Sequence, residues 1–187
     1  MILKQLNRRN YEVQAEKNPK KYFILNASPL IYFCKIGLSH VFTEFSEEKY
    51  TTPKVIDEVV DRGKDLGFPD SLLIEQLVKD RIIKVSAPKN EDFIKVLAQI
   101  PELHAAEIQV LALAKELDGI AILDDGDARQ AAKIFNIEVH GSAYLLLRLN
   151  YRGNITKEKA RAALDNMIAV GWRVSLEDYS RILSAFK

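Results

Sequence analysis

The sequence predicts an α/β chain. A central, mainly parallel sheet of about five strands is covered by helices on both faces, a three-layer α/β/α sandwich, and a C-terminal helical hairpin follows. Three observations carry this. Short apolar runs alternate with segments of helical period, the pattern of parallel strands joined by crossover helices. The run Ile120-Ala121-Ile122-Leu123 offers no polar residue to water and reads as a strand buried on both faces. Residues 154–187 contain two helical patterns and no strand.

Residues 1–21 set Lys4, Arg8, Arg9, Lys17, Lys20 and Lys21 against Glu12 and Glu16 with little apolar periodicity, and predict a basic arm. Such an arm is either a solvated terminus or a segment that tracks a phosphate backbone. Tyr22-Phe23-Ile24-Leu25 is the first strand, and Ser28 is placed to cap a helix that starts at Pro29 and ends at Gly37. Lys49-Tyr50-Thr51 is the second strand. Thr52-Pro53 repeats the cap-and-proline start for a helix that turns Val55, Ile56, Val59 and Val60 inward and closes at Arg62-Gly63. After a loop over 63–69, Asp70 caps an amphipathic helix, and Ile82-Ile83-Lys84-Val85 is the third strand.

A helix over 91–99 must stop before Pro101, because the residue preceding a proline disfavours the helical conformation. The next helix spans 104–117, with Ile108, Leu111 and Ala112 on one face and Glu107 in its first turn, and passes through Gly119 into the fourth strand. A helix over 128–135, a strand at Ile137-Glu138-Val139 and a helix over 143–149 complete the α/β part, which Gly153 ends. Thr156 and Ser175 cap the last two helices, the first lined by Ala160, Ala163, Leu164 and Met167 and stopped by Gly171. The expected organisation is therefore a basic arm (1–21), an α/β domain (22–153) and a helical extension packed on it (154–187).

At 187 residues the chain can bury one sizeable core. A formal charge of +1 sets no preference for a partner. No apolar run approaches the length of a membrane span, and the first residues lack the apolar core of a signal peptide. One cysteine, Cys34, excludes an internal disulfide framework and suits a reducing cytoplasm.

Chemistry is expected at the carboxyl ends of the strands, where ligands bind in open α/β sheets. Asn26 ends the first strand, and Asp124 and Asp125 end the fourth, with Asp127 just beyond; Glu58 and Glu107 lie in early helical turns. Converging carboxylates repel each other unless a cation neutralises them. Oxygen ligands without His or Cys favour Mg²⁺ or Mn²⁺, ions suited to phosphodiester hydrolysis. Acids also gather in first turns because they complement the helix dipole, so spacing alone leaves both readings open. His40, His104 and His140 are scattered singly, and no Ser-His or Cys-His constellation supplies a side-chain nucleophile.

Four segments occur in the order of the motifs of the PIN domain: Leu25-Asn26-Ala27-Ser28-Pro29-Leu30-Ile31, Thr52-Pro53-Lys54-Val55-Ile56-Asp57-Glu58-Val59, Ala106-Glu107-Ile108-Gln109-Val110-Leu111-Ala112-Leu113-Ala114 and Ile122-Leu123-Asp124-Asp125. Over roughly residues 22–150 the chain resembles that family of metal-dependent ribonucleases, which includes the VapC-type toxins. Ser28-Pro29-Leu30-Ile31, the Asp-Asp-x-x-Ala-Arg segment at 124–129 and His140-Gly141 are similar to an uncharacterised, mostly prokaryotic branch. The resemblance implies a Mg²⁺- or Mn²⁺-dependent endoribonuclease. Asn26, Glu58, Glu107 and Asp125 would form its catalytic metal site, with Asp124 and Asp127 at the margin. The resemblance further implies RNA as substrate, an antitoxin partner if the protein is a toxin, and a homodimer; no membrane and a cytoplasmic location are expected from the apolar runs and Cys34. From the residues themselves, Ser28 is a substrate contact or only a helix cap, and Arg129 reaches a scissile phosphate or pairs with a nearby carboxylate.

One departure matters. Most PIN nucleases carry Asp where this chain has Asn26, whose amide offers a carbonyl oxygen and no charge. The alternative is then a catalytically impaired PIN-fold module that binds nucleic acid or protein. A haloacid-dehalogenase-like phosphatase would need Asp at both 26 and 28; Asn26 and Ser28 exclude it. Lys4, Arg8, Arg9, Arg129, Lys133 and Arg148 are the candidate cations for an RNA backbone.

Overall fold

The structure is a computed structural model and describes residues 22–187; the predicted basic arm lies outside the described residues. The described residues fall into two compact units, 22–141 and 142–187.

The first unit is built on β1 (Tyr22–Leu25), β2 (Glu48–Thr51), β3 (Ile83–Val85), β4 (Ile120–Ile122) and β5 (Glu138–His140). They pair in the order β3-β2-β1-β4-β5, every pair parallel. The two central strands are the most apolar. Phe23, Ile24 and Leu25 of β1 and all three residues of β4 are buried, whereas β3, at one edge, buries only Ile83. An all-parallel sheet needs cover on both faces. Its helices are α1 (Ala27–Lys35), α2 (Pro53–Ile56), α3 (Arg62–Asp65), α4 (Pro69–Lys79), α5 (Glu91–Leu97), α6 (Ala105–Glu116) and α7 (Gly126–Ile134). The chain first walks outward from β1 to β3, then returns to β4 on the other side of β1. Right-handed crossovers therefore set α1 to α4 against one face and α5 to α7 against the other. Accordingly α1 packs on α4, and α6 packs on α5, α7, β1 and β4.

Several expected boundaries move. The N-cap position of α1 falls to Asn26, whose side chain makes no capping bond, and Ser28 sits half-buried inside the first turn. The α4 cap is Phe68, and Asp70 is a buried first-turn residue. Helix α6 was expected to bury one stripe through Ile108; it buries Ala106, Val110, Leu111, Ala112, Leu113 and Ala114, because sheet and helices enclose it from several sides. The passage into β4 also differs. Asp118, not Gly119, takes the left-handed conformation (φ 49°), while Gly119 serves close packing: a Cβ there would lie 3.1 Å from the Tyr22 carbonyl oxygen.

The helix after β2 differs most. It does not close at Arg62-Gly63. A π-helical turn, Asp57–Asp61, joins α2 to α3 with one continuous backbone. Gly63 lies inside it, and a Cβ there would stand 2.9 Å from the Ser71 Cβ of α4. Close approach of two helices, rather than termination, explains this glycine. Gly63→Val is expected to lower stability by about 2 kcal/mol through overpacking, read as a lower urea midpoint at unchanged slope.

The second unit holds α8 (Ser142–Tyr151), α9 (Lys157–Ala169) and α10 (Leu176–Ala185), with α8 in contact with both others. Thr156 Oγ1 accepts from the Lys159 N–H and Ser175 Oγ from the Asp178 N–H, so both predicted caps form. Ala160, Ala163, Leu164 and Met167 are the buried side of α9, as their spacing predicts. The Asn150 side chain ties down the chain end, accepting from the Lys187 N–H at 2.8 Å and donating to the carbonyl of Ile155 at 3.2 Å. Among the described residues no helix is long and apolar enough to cross a membrane.

Candidate metal and nucleic-acid site

The sheet order fixes where a site can lie. Consecutive connections leave β1 and β4 in opposite directions, and the crevice outside their carboxyl ends is the switch point of the fold. Pairing continues one residue past the strands there. The Asn26 N–H donates to the Ile122 carbonyl at 3.0 Å, and the Leu123 N–H to that of His140 at 2.9 Å. On the other side of β1, the Thr51 hydroxyl donates to the Leu25 carbonyl at 2.8 Å. Asn26 and the Asp124-Asp125 pair thus leave adjacent strands at the same edge.

Asn26 is 7% exposed, and its Oδ1 is buried without a hydrogen-bond partner. It caps no backbone N–H. A buried acceptor left unmade costs on the order of 1–3 kcal/mol, so this oxygen asks for a donor or a cation. Asp125 is the N-cap of α7, its Oδ1 accepting from the Ala128 N–H at 2.9 Å, and it is exposed. Glu107, on the first turn of α6, is 7% exposed, and its Oε2 accepts from the His104 N–H at 2.9 Å. Glu58 stands exposed on the π-helical turn.

Electrostatics join three of these acids. Burial pushes the Glu107 carboxyl above the ordinary carboxylate range, the His104 N–H bond opposes it, and the nearby charges of Asp125 and Glu58 raise it further. Glu107 therefore binds its proton more tightly folded than unfolded. Its contribution to stability is whole below the ordinary carboxylate pKa and is lost as pH rises through the raised one. Glu107→Gln, which keeps an oxygen for the His104 N–H, should flatten the fall in stability across that window. Urea midpoints measured in EDTA from pH 4 upward check this; a slope equal to the parent's would contradict it.

The donor set fits a hard divalent cation: an orphaned amide oxygen and a desolvated carboxylate with two acids beside it, all oxygen. Among the described residues no three His, Cys, Asp or Glu side chains are drawn together tightly enough to hold an ion as they stand. The remaining predicted residues spread outward. Asp124 turns toward the end of β5, where a Cβ on Gly141 would lie 2.9 Å from its Oδ1 and 3.8 Å from an Arg129 nitrogen. Arg129 makes no ion pair among the described residues, and its Nε is buried without a partner. Asp127 is exposed on the first turn of α7, and Ser28 is half-buried on that of α1. Cys34 is buried, its thiol pushed up to about 12 by desolvation, which removes it as a nucleophile.

A groove of about 340 Å³ opens beside Glu58, lined by Lys54, Asp57, Glu58, Arg62, His104, Ala105 and Ala106. A hydrogen bond from the Lys54 N–H to Gln109 Oε1 at 3.2 Å joins α2 to α6. Lys54, Arg62 and His104 were absent from the sequence-derived candidates. A signal existed, since Lys54, Glu58 and Arg62 recur every four residues and so share one helix face.

A family model described as a PIN domain matches residues 22–187. Endoribonuclease Nob1 of Pyrococcus abyssi is 36% identical over 97 residues, covering 49% of this chain and 56% of the relative. Endoribonuclease Nob1 of Methanocaldococcus jannaschii is 31% identical over 129 residues, covering 66% of this chain and 58% of the relative. The matches span a little over half the length of these two curated relatives.

Proposed function

The chain belongs to the PIN domain family, and from that premise we propose that it is a divalent-metal-dependent endoribonuclease whose site lies at the carboxyl ends of β1 and β4. The orphaned, buried Oδ1 of Asn26 is the observation that carries the reading, because a lone acceptor at the switch point has a use if a cation sits there. The two relatives named as endoribonucleases support the choice of RNA.

Asn26, Glu58, Glu107 and Asp125 would hold Mg²⁺ or Mn²⁺. When bound, such an ion lowers the pKa of water and stabilises charge on the phosphoryl and leaving oxygens. The residues themselves divide the work. Asp125, fixed by its bond to the Ala128 N–H, and Glu107, fixed by the His104 N–H, are pre-positioned carboxylates. Glu58, exposed and free to change rotamer, closes the set. Asp124 and Arg129 orient the β5 side of the crevice, and Ser28 and Asp127 stand at its margins near the substrate. No protein nucleophile is required.

The Asn26 amide favours a second reading, a PIN-fold binding module without turnover. A labelled mixed RNA pool incubated with Mn²⁺, Mg²⁺ or EDTA separates the two. Cleavage that needs the ion supports the enzyme, and RNA binding with no cleavage under any ion supports the module. A toxin role with an antitoxin partner and a homodimer rest on the family resemblance alone, and a cytoplasmic location on the single buried thiol. Growth arrest on expression and light scattering of the purified chain test the first two.

A further inference from the structure

The groove beside Glu58 points to a second element of the same machinery: it seats the RNA backbone next to the acids, with Arg62 gripping one phosphate and Lys54 a second cation in reserve. This inference rests on the ribonuclease reading for its substrate class; the groove shares Glu58 with the proposed metal site, but its cations, Lys54 and Arg62, are not among the proposed ligands. The walls come from α2, the π-helical turn and α3 on one side and the start of α6 on the other. Two alanines, Ala105 and Ala106, end at Cβ and leave the groove open between these walls.

The charges on the walls are unequal in availability. Lys54 is engaged with Asp57 at 3.3 Å, both about half exposed, a pair of small energetic value that yields readily to a phosphate. Arg62 is exposed and makes no ion pair among the described residues. An unengaged guanidinium in a groove presents a donor fork suited to phosphate. Glu58 stands on the same wall four residues before it, so a strand held at Arg62 lies alongside the carboxylates. The spacing of four residues sets Glu58 and Arg62 on one helix face, and Glu58 lies on a π turn, a feature that recurs at functional sites. Gly63, immediately after Arg62, lets α3 lie close on α4 and so fixes the base of the arginine.

Arg62 is thus a positioning residue for the substrate, not a group that takes part in the bond change. The test uses the full chain and a 5′-labelled single-stranded RNA. In EDTA, where no cleavage intrudes, Arg62→Ala should weaken binding about tenfold. It should also reduce the slope of log affinity against log salt by about 0.7, the amount for one phosphate contact with a single strand. Arg62→Lys should keep the slope. With Mn²⁺, the loss in Arg62→Ala should fall on KM rather than kcat. An identical affinity and slope for Arg62→Ala and the parent would overturn the assignment, as would a loss confined to kcat. A changed slope in a protein that cleaves nothing would uphold the groove and overturn the nuclease, so the two readings fail separately.

Discussion

Asp125→Asn is expected to reduce metal-dependent RNA cleavage by at least about 10²-fold, the scale seen when one pre-organised electrostatic group is removed from a site, while thermal stability holds. Two roles meet in this carboxylate. As the N-cap of α7 it accepts from the Ala128 N–H, and as a neighbour of Glu107 it raises that residue's pKa and belongs to the proposed cation site. The amide keeps the first role and loses the second, since Asn caps helices as well as Asp does. Asp125→Ala loses both. It should cost about 1 kcal/mol in addition, visible as a fall in Tm of roughly 2–4 °C for a chain of this size. Cleavage assays beside thermal melts separate the roles. Full activity in Asp125→Asn would remove Asp125 from the metal site, whatever its value as a cap.

The opposite substitution, Asn26→Asp, should have the larger effect on stability and make it conditional on metal. A carboxylate at a position 7% exposed, whose Oδ1 now finds no partner, would be buried and uncompensated. Without an ion this costs about 3–5 kcal/mol. With Mn²⁺ or Mg²⁺ the sign reverses. An added unit charge near a cation is worth on the order of 4 kcal/mol per elementary charge at an effective dielectric of 20, so ion affinity should rise at least about tenfold and cleavage with it. The prediction is a variant that melts below the parent in EDTA and above it in millimolar Mn²⁺. A Tm indifferent to the ion in both proteins would mean that Asn26 faces no cation, and its orphaned oxygen would need another account. Cleavage that appears only in Asn26→Asp would identify the natural chain as a PIN fold disabled at one ligand.

Much of this protein was written locally. The apolar runs of β1 and β4 and the helical stretches along the chain specify the centre of the sheet and the order of elements, because burial on both faces demands unbroken apolar sequence there. Thr156 and Ser175 announce their helices because a cap is a contact within four residues. In the backbone, Asn26 and Asp125 directly precede α1 and α7, Glu107 is on the first turn of α6, and Glu58 is on the π turn further along its helix than a first turn.

What the sequence left open depends on residues far apart in the chain. Gly63 reads as a helix stop until Ser71 is seen 2.9 Å from its missing Cβ. Asn26 displaces Ser28 at the α1 N-cap position because the backbone is still paired to Ile122 at that point, a bond between residues 96 positions apart. The π turn, and the groove that this helix forms with the start of α6, follow from how α2 and α3 lie against α6 and α4. Composition and spacing determine which groups are available. Packing alone decides which become neighbours, because desolvation and charge coupling of the kind that lifts the Glu107 pKa depend on distances in space, not along the chain.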